Sequence, residues 1–352
     1  MDRRHALASV VAVVAIAACA RALYALGVGA AGVALPEACI AETDEPEAPG
    51  AGMVFISASR FMMGSEDYRL EEAPVRQSAA GGFWIDSHDV TNAQFARFVR
   101  ETGYLTVAER PHASHSDPRP GSFVFVAPSE IADLDDVSQW WRFVPGADWR
   151  HPEGPQSSIA HRMNHPVVQV AYEDAQAYAR WAGHSLPSET QWELAARGGL
   201  DGARFNWGNQ NDSDENPQSN HWRGIFPTLN LGSKGFKGTS PVGCFPPNGY
   251  GLYDMAGNVW QWTEDAWGGR ASSGSVATPA SLRSQFRVIK GGSFLCATNF
   301  CMRYRPAARQ PGDASIGTSH IGFRTVLALT GGAPPPLPQR ASLLPPQRDL
   351  AR

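Results

Sequence analysis

From Gly198 to Ala328 the chain shows no helical periodicity. Short apolar pieces alternate there with Gly, Pro and Asn, the pattern of small strands joined by ordered loops. Loops that long are uncommon in a compact domain unless they serve a site. Their buried backbone must also find partners. Bound cations and tryptophan packing are the expected supports. Composition agrees, with 35 Gly, 27 Pro and 11 Trp. Charged residues make up 18%, against about 25% in an average globular chain. Helical bundles, coiled coils and disordered chains do not look like this. The predicted class is α+β, irregular and loop-rich, with small antiparallel sheets and a few helices. At 352 residues and a net charge of −4, the chain holds one large domain or two ordinary ones. No basic stripe points to nucleic acid.

The first half carries the regular elements. Met53-Val54-Phe55-Ile56 reads as a strand, with Arg60 to Gly64 as the second strand of its hairpin, and Phe83-Trp84-Ile85 as another strand. Thr91 is a plausible N-cap for a helix from Asn92 to Thr102 with Phe95, Phe98 and Val99 on one face. Tyr172 to Ala182 repeats that pattern. A third helix starts near Ser188, where Ser188-Glu189-Thr190-Gln191 makes a capping box. The ends differ from this body. Residues 1–35 combine a basic start with an apolar run, the order of a secretory signal or an uncleaved membrane anchor. Ile16-Ala17-Ala18-Cys19 resembles a lipobox, so lipidation at Cys19 is one route. The expected location is exported, periplasmic or membrane-anchored, with membrane contact only through that segment. Residues 36–52 read as a linker, 53–328 as the folded domain, and 329–352 as a Pro-rich, extended tail.

Cys296 and Cys301 form a C-x4-C pair. On a helix five residues turn through about 500°, so the sulfurs would part. On a strand they would face opposite ways. Only a bent loop brings them together. A structural disulfide, a redox pair and a soft-metal site for Cu(I) all remain open at this point. Cys244 reads as a lone, small, buried apolar residue. His161 and His165 have H-x-x-x-H spacing, but Pro166 disfavours helical geometry and Arg162 stands where a metalloprotease base would be. The pair is read as structural. No Walker or dinucleotide fingerprint occurs.

The residues around the cysteines resemble a known family. Gly291-Gly292-Ser293, Arg303-Tyr304-Arg305, Ala308-Arg309 and Gly322-Phe323-Arg324 are similar to the C-terminal signature of the formylglycine-generating enzymes, the sulfatase-modifying factors. Trp149-Arg150-His151-Pro152-Glu153-Gly154-Pro155 and Pro246-Pro247-Asn248-Gly249-Tyr250-Gly251-Leu252-Tyr253 agree. The resemblance runs from about Met53 to Val326. It implies a sulfatase-modifying-factor or C-type-lectin-like fold. It also implies a copper-dependent aerobic oxidase that converts a cysteine, in a Cys-x-Pro-x-Arg segment of an unfolded sulfatase polypeptide, to Cα-formylglycine.

Carried over by position, Cys296 and Cys301 are the Cu(I) ligands, O2 is the cosubstrate, and Ser293 is an active-site hydroxyl near bound oxygen. Phe300 stands where some members have Tyr. Trp149 and Arg150 are expected in the cleft wall or scaffold. The family's second calcium site maps onto Asp254, Gly257, Val259 and Gln261, with Gln261 where Glu is usual. The first maps onto Asn220, His221, Lys234 and Phe236. Lys234 falls where an Asp is expected, so this site is expected to hold no Ca2+, with Lys234 as an internal cation on the same carbonyls. A monomer is expected. The competing readings are a non-catalytic, lectin-like envelope binding module and an oxidase of another thiol.

Overall fold

The structure is a computed structural model that describes residues 35–40, 52–111, 118–130, 133–268 and 285–329. The chain divides into two units, Met1–Pro36 and Glu37–Arg352. Everything below belongs to the second. The segment read as a signal or anchor, with Cys19, and the Pro-rich stretch beyond residue 329 lie outside the described residues. No helix among the described residues is long and apolar enough to cross a membrane.

The chain opens with β1 (Met53–Ile56), β2 (Ser59–Met63), β3 (Arg76–Ala80) and β4 (Phe83–Asp86). Helix α1 (Asn92–Thr102), strands β5 (Gly121–Phe125) and β6 (Trp141–Pro145), and helices α2 (Tyr172–Trp181) and α3 (Glu189–Arg197) follow. No helix follows α3 among the described residues. Only short strands do: β7 (Gly224–Ile225), β8 (Leu229–Asn230), β9 (Trp260–Ala266), β10 (Phe286–Lys290), β11 (Arg309–Asp313), β12 (Ile321–Gly322) and β13 (Val326–Ala328). The α+β reading and the three helices stand as expected.

The predicted first hairpin does not form. β1 pairs with β4, and β2 pairs with β3. β1 then shares β4 with β13 in one three-stranded sheet. Burial explains the choice: Phe83, Ile85 and Val326 are all buried, so β4 is the central strand that both neighbours cover. The second sheet has the order β11-β10-β9-β12.

Helix ends follow their sequence signals. In α1, Thr91 Oγ1 accepts from Gln94 N–H at 3.2 Å while Gln94 Oε1 accepts from Thr91 N–H at 2.8 Å. The helix closes on Gly103 at φ 67°. Ser188 and Gln191 repeat the box at α3. Tryptophans supply the predicted support: Trp140, Trp192, Trp260 and Trp262 are almost fully buried. The Trp192 indole donates to Gln261 Oε1 at 2.6 Å and ties α3 to β9, and the Trp262 indole donates to the Val170 carbonyl at 3.1 Å and ties a loop to β9.

One cysteine reading is corrected. Cys244 is not a lone thiol; it is disulfide-bonded to Cys39, with Cα atoms 4.9 Å apart. The stretch read as a linker is therefore stitched to the domain at Cys39. No local signal could have found a partner 205 residues away.

Candidate active site

Strand β10 delivers the cysteine loop. At its end Lys290 is fully buried and its ammonium donates to Glu193 on α3 at 2.9 Å. Burial works against the Glu193 charge, but Lys290 and Arg197 hold its carboxyl below the ordinary range. Gly291 and Gly292 follow at φ 97° and 72°. A Cβ on Gly292 would sit 2.8 Å from the Arg303 carbonyl oxygen, so only glycine allows the outgoing and returning chains to pass this close.

Between those chains the backbone folds on itself. Cys296 N–H donates to the Ser293 carbonyl at 2.9 Å, and Cys301 N–H and Met302 N–H share the Ala297 carbonyl at 3.2 and 3.0 Å. Met302 takes φ 48°. The result is the bent loop that the spacing demanded. The Cys296 and Cys301 sulfurs are brought together, with Cα atoms 5.4 Å apart and exposures of 3% and 7%. Ser293 is fully buried and its Oγ accepts from Leu295 N–H at 3.2 Å, which fixes the turn into Cys296.

Two walls hold this loop. One is aromatic: Phe300 stacks on Phe226 at 4.4 Å, and Trp140 meets both rings edge-on. Phe300 thus contributes only an apolar face. The other wall is ionic. A 3-10 turn, Leu70–Glu72, lies against the returning chain. Arg69 donates to the Phe300 carbonyl at 3.2 Å and Arg303 pairs with Glu71 at 2.7 Å. Arg305 forms a two-pronged pair with Glu72 at 2.7 and 2.6 Å, both side chains being essentially fully buried. Arg305 Nε also donates to the Met302 carbonyl at 2.9 Å, and the guanidinium lies 3.8 Å over the Tyr68 ring. Sequence reasoning missed Tyr68, Glu71 and Glu72, because their partners lie more than 230 residues downstream.

Trp149 is buried and packs on Phe95, with Arg150 at 4.1 Å over its ring and bonded to Glu109. That is a scaffold position. His161 and His165 do not meet. His161 is exposed beside Glu37, whereas His165 is buried against Thr239 Oγ1 at 2.9 Å. Burial, with the Arg162 charge, pushes His165 down to about 4.

The proposed calcium positions fit unevenly. Asp254 takes φ 53° and its Oδ2 accepts from Gly243 N–H at 2.8 Å. Gln261 is spent: Oε1 accepts from Trp192 and, at 2.8 Å, from Arg324 Nε, and Nε2 donates to the Asp254 carbonyl. An amide oxygen with two donors has no lone pair left for a cation, so Gln261 does not fit as a ligand. Gly257 and Val259 flank this point with buried backbone.

At the first position His221 stacks on Tyr304 at 4.0 Å and burial pushes it down to about 3, so it is neutral. Asn220 donates to Gly238 and Ser240, and the Phe236 carbonyl accepts from Ser233. Lys234 is corrected: it lies at the surface, and its ammonium bonds the Cys244 carbonyl at 2.7 Å rather than those of His221 and Phe236. Among the described residues no group of three or more His, Cys, Asp or Glu could hold a metal ion. Cys296 and Cys301 are disulfide-bonded to each other in this buried loop, and once reduced the two soft sulfurs would form a donor pair suited to Cu(I).

Comparison with known proteins bears on this arrangement. Residues 40–329 match the family described as sulfatase-modifying factor enzyme 1-like domain. The chain is 47% identical to the formylglycine-generating enzyme of Mycobacterium tuberculosis, over 78% of this chain and 97% of that protein. It is 45% identical to the formylglycine-generating enzyme of Mus musculus, over 77% of this chain and 74% of that protein. Among solved structures, PvdO from Pseudomonas aeruginosa aligns with a TM-score of 0.52 and 25% identity, over 78% of this chain and 93% of that one.

Proposed function

This chain belongs to the formylglycine-generating-enzyme family, the sulfatase-modifying factors, and on that premise we propose that it matures a sulfatase by oxidising one cysteine of the unfolded polypeptide to Cα-formylglycine. The observation that carries the reading is the meeting of Cys296 and Cys301 in one buried loop. Copper is part of the proposal: Cys296 and Cys301 would hold Cu(I) as thiolates, which requires the pair to be reduced first. When bound, the ion supplies a soft centre for the substrate sulfur and for activation of O2. The overall conversion breaks the substrate's Cβ–S bond, forms the aldehyde, and releases hydrogen sulfide and water. It consumes O2 and two electrons from an added thiol.

The chain's own residues prepare the place. The Gly291-Gly292 turn and the Leu70–Glu72 clamp hold the two sulfurs together, so binding need not order the loop. Burial of the cysteines, with Phe300, Phe226 and Trp140 beside them, keeps water from the reacting sulfur. Ser293 orients Leu295 and Cys296 through its turn. Its proposed hydrogen bond near bound oxygen would come from the same hydroxyl. Calcium at the second position would rest on Asp254 with the Gly257 and Val259 carbonyls, without Gln261. Export is likewise proposed, supported by the Cys39–Cys244 bridge, which persists in an oxidising compartment. A monomer acting on a sulfatase polypeptide completes the reading.

The test is mass spectrometry of a Cys-Thr-Pro-Ser-Arg peptide incubated with reduced, Cu(I)-loaded protein, O2 and thiol. Conversion to the aldehyde, abolished in Cys296→Ser and Cys301→Ser, is the expected result. No conversion with copper bound would reject this peptide motif. No conversion and no copper uptake would leave a structural disulfide in a binding module.

A further inference from the structure

The two most exposed large apolar side chains among the described residues are Leu231, at 63%, and Ile225, at 60%. Leu229, at 48%, is close by. All three lie on or directly after the β7–β8 hairpin, whose register pairs Ile225 with Leu229. Isolated exposed apolar residues need no explanation, but three on one small hairpin form a patch.

The hairpin is fastened to the cysteine loop. Phe226, at its turn, is the ring on which Phe300 stacks. Asn299 clips the same residue from above: Phe226 N–H donates to Asn299 Oδ1 at 3.3 Å, and Asn299 Nδ2 donates to the Phe226 carbonyl at 3.4 Å. Asn299 and Thr298 are exposed, so the apex of the cysteine loop reaches the surface next to the apolar hairpin. Beyond it, a hollow of about 240 Å³ opens between Leu231, Arg223, Asp214 and Lys234. Below the patch the aromatic cluster of Trp140, Trp222 and Phe226 is already buried, so Ile225, Leu229 and Leu231 are surplus to the core.

We propose that this hairpin is the docking surface for apolar residues flanking the substrate cysteine in the unfolded polypeptide. The inference rests on the functional reading above and adds to it how a longer chain is held. A cysteine delivered to Cys296 and Cys301 must arrive on extended backbone, which spans about 3.3 Å per residue. Residues a few positions away are therefore within reach of the hairpin, which adjoins the loop through Phe226 and Asn299. An unfolded polypeptide is also the one partner that presents apolar side chains which its own fold would later bury. Such contacts are made in ground state and transition state alike, so they lower KM and leave kcat unchanged.

The test uses the full protein and the triple variant Ile225→Ser, Leu229→Ser, Leu231→Ser. These side chains are exposed, so folding should survive. Three peptides are compared: Cys-Thr-Pro-Ser-Arg alone, a roughly 20-residue peptide with Leu and Val on both flanks, and the same peptide with Ser flanks. For the apolar-flanked peptide the variant should raise KM by about fivefold or more with kcat unchanged. The short and Ser-flanked peptides should be converted alike by both proteins. An unchanged KM for the apolar-flanked peptide would overturn the proposal, as would an equal loss for the short one. Fluorescence anisotropy with a labelled apolar-flanked peptide carrying Ser for Cys reads docking without chemistry. A weakened Kd in the variant would support the hairpin even if no peptide were converted, in which case only the oxidase reading would fail. Concentration-dependent dimerisation of the parent, abolished in the variant with peptide binding unchanged, would assign the patch to a second copy and overturn the proposal.

Discussion

Gly292 shows how one residue sets the chemistry. Its φ of 72° lies in the region that costs side-chain-bearing residues energy, and a Cβ there would press on the Arg303 carbonyl. Gly292→Ala should destabilise the fold by about 1–3 kcal/mol. It should also weaken Cu(I) uptake, because the strain is relieved by moving the chain that carries Cys301. Competition titration with a Cu(I) chelator checks the second effect, and unaltered copper affinity would show that the turn does not set the sulfur spacing. The cysteine pair and its bent loop were legible in the sequence, since both are local. Gln261 was legible only in part. Its partners Trp192 and Arg324 come from other segments and leave its oxygen no free lone pair. Spacing alone carries no such information.

The clamp at Leu70–Glu72 acts as an element. With Arg69 beside it, the turn holds the returning chain of the cysteine loop, and the Arg305–Glu72 pair is the buried contact. Removing one partner leaves an uncompensated charge, so Glu72→Ala should cost about 3–5 kcal/mol in urea unfolding. Arg305→Lys keeps the charge but loses the fork and the Met302 contact, and should be milder. If Glu72→Ala unfolds at the same urea concentration as the parent, the clamp is not what supports the loop. Helices were the most readable elements, because Thr91, Ser188 and their glutamines are short-range signals. Strand pairing was less readable. β1 and β2 are adjacent in sequence, yet the buried faces of Phe83, Ile85 and Val326 draw β1 to β4.

Over the whole molecule, burial of neutral histidine sets an acid limit. The folded His165 titrates near 4, below the ordinary value of 6.5. A depressed folded value means that its contribution is present above pH 6.5 and is lost as pH falls from there toward 4. Stability should drop by about 1–2 kcal/mol between pH 7 and 5 from this group. His165→Asn should flatten that part of a Tm-against-pH curve, and an unchanged slope would remove His165 from the account. The overall class was readable from composition and the helix-free second half, whereas the stitch between Cys39 and Cys244 was not. That stitch has a mechanical consequence. Force applied to the chain upstream of Cys39 passes through sulfur into the Gly243–Cys244 segment before it can load β1. A tug on the chain upstream of Cys39 would thus be taken up far along the sequence, and the edge strand at Met53 would be spared from peeling.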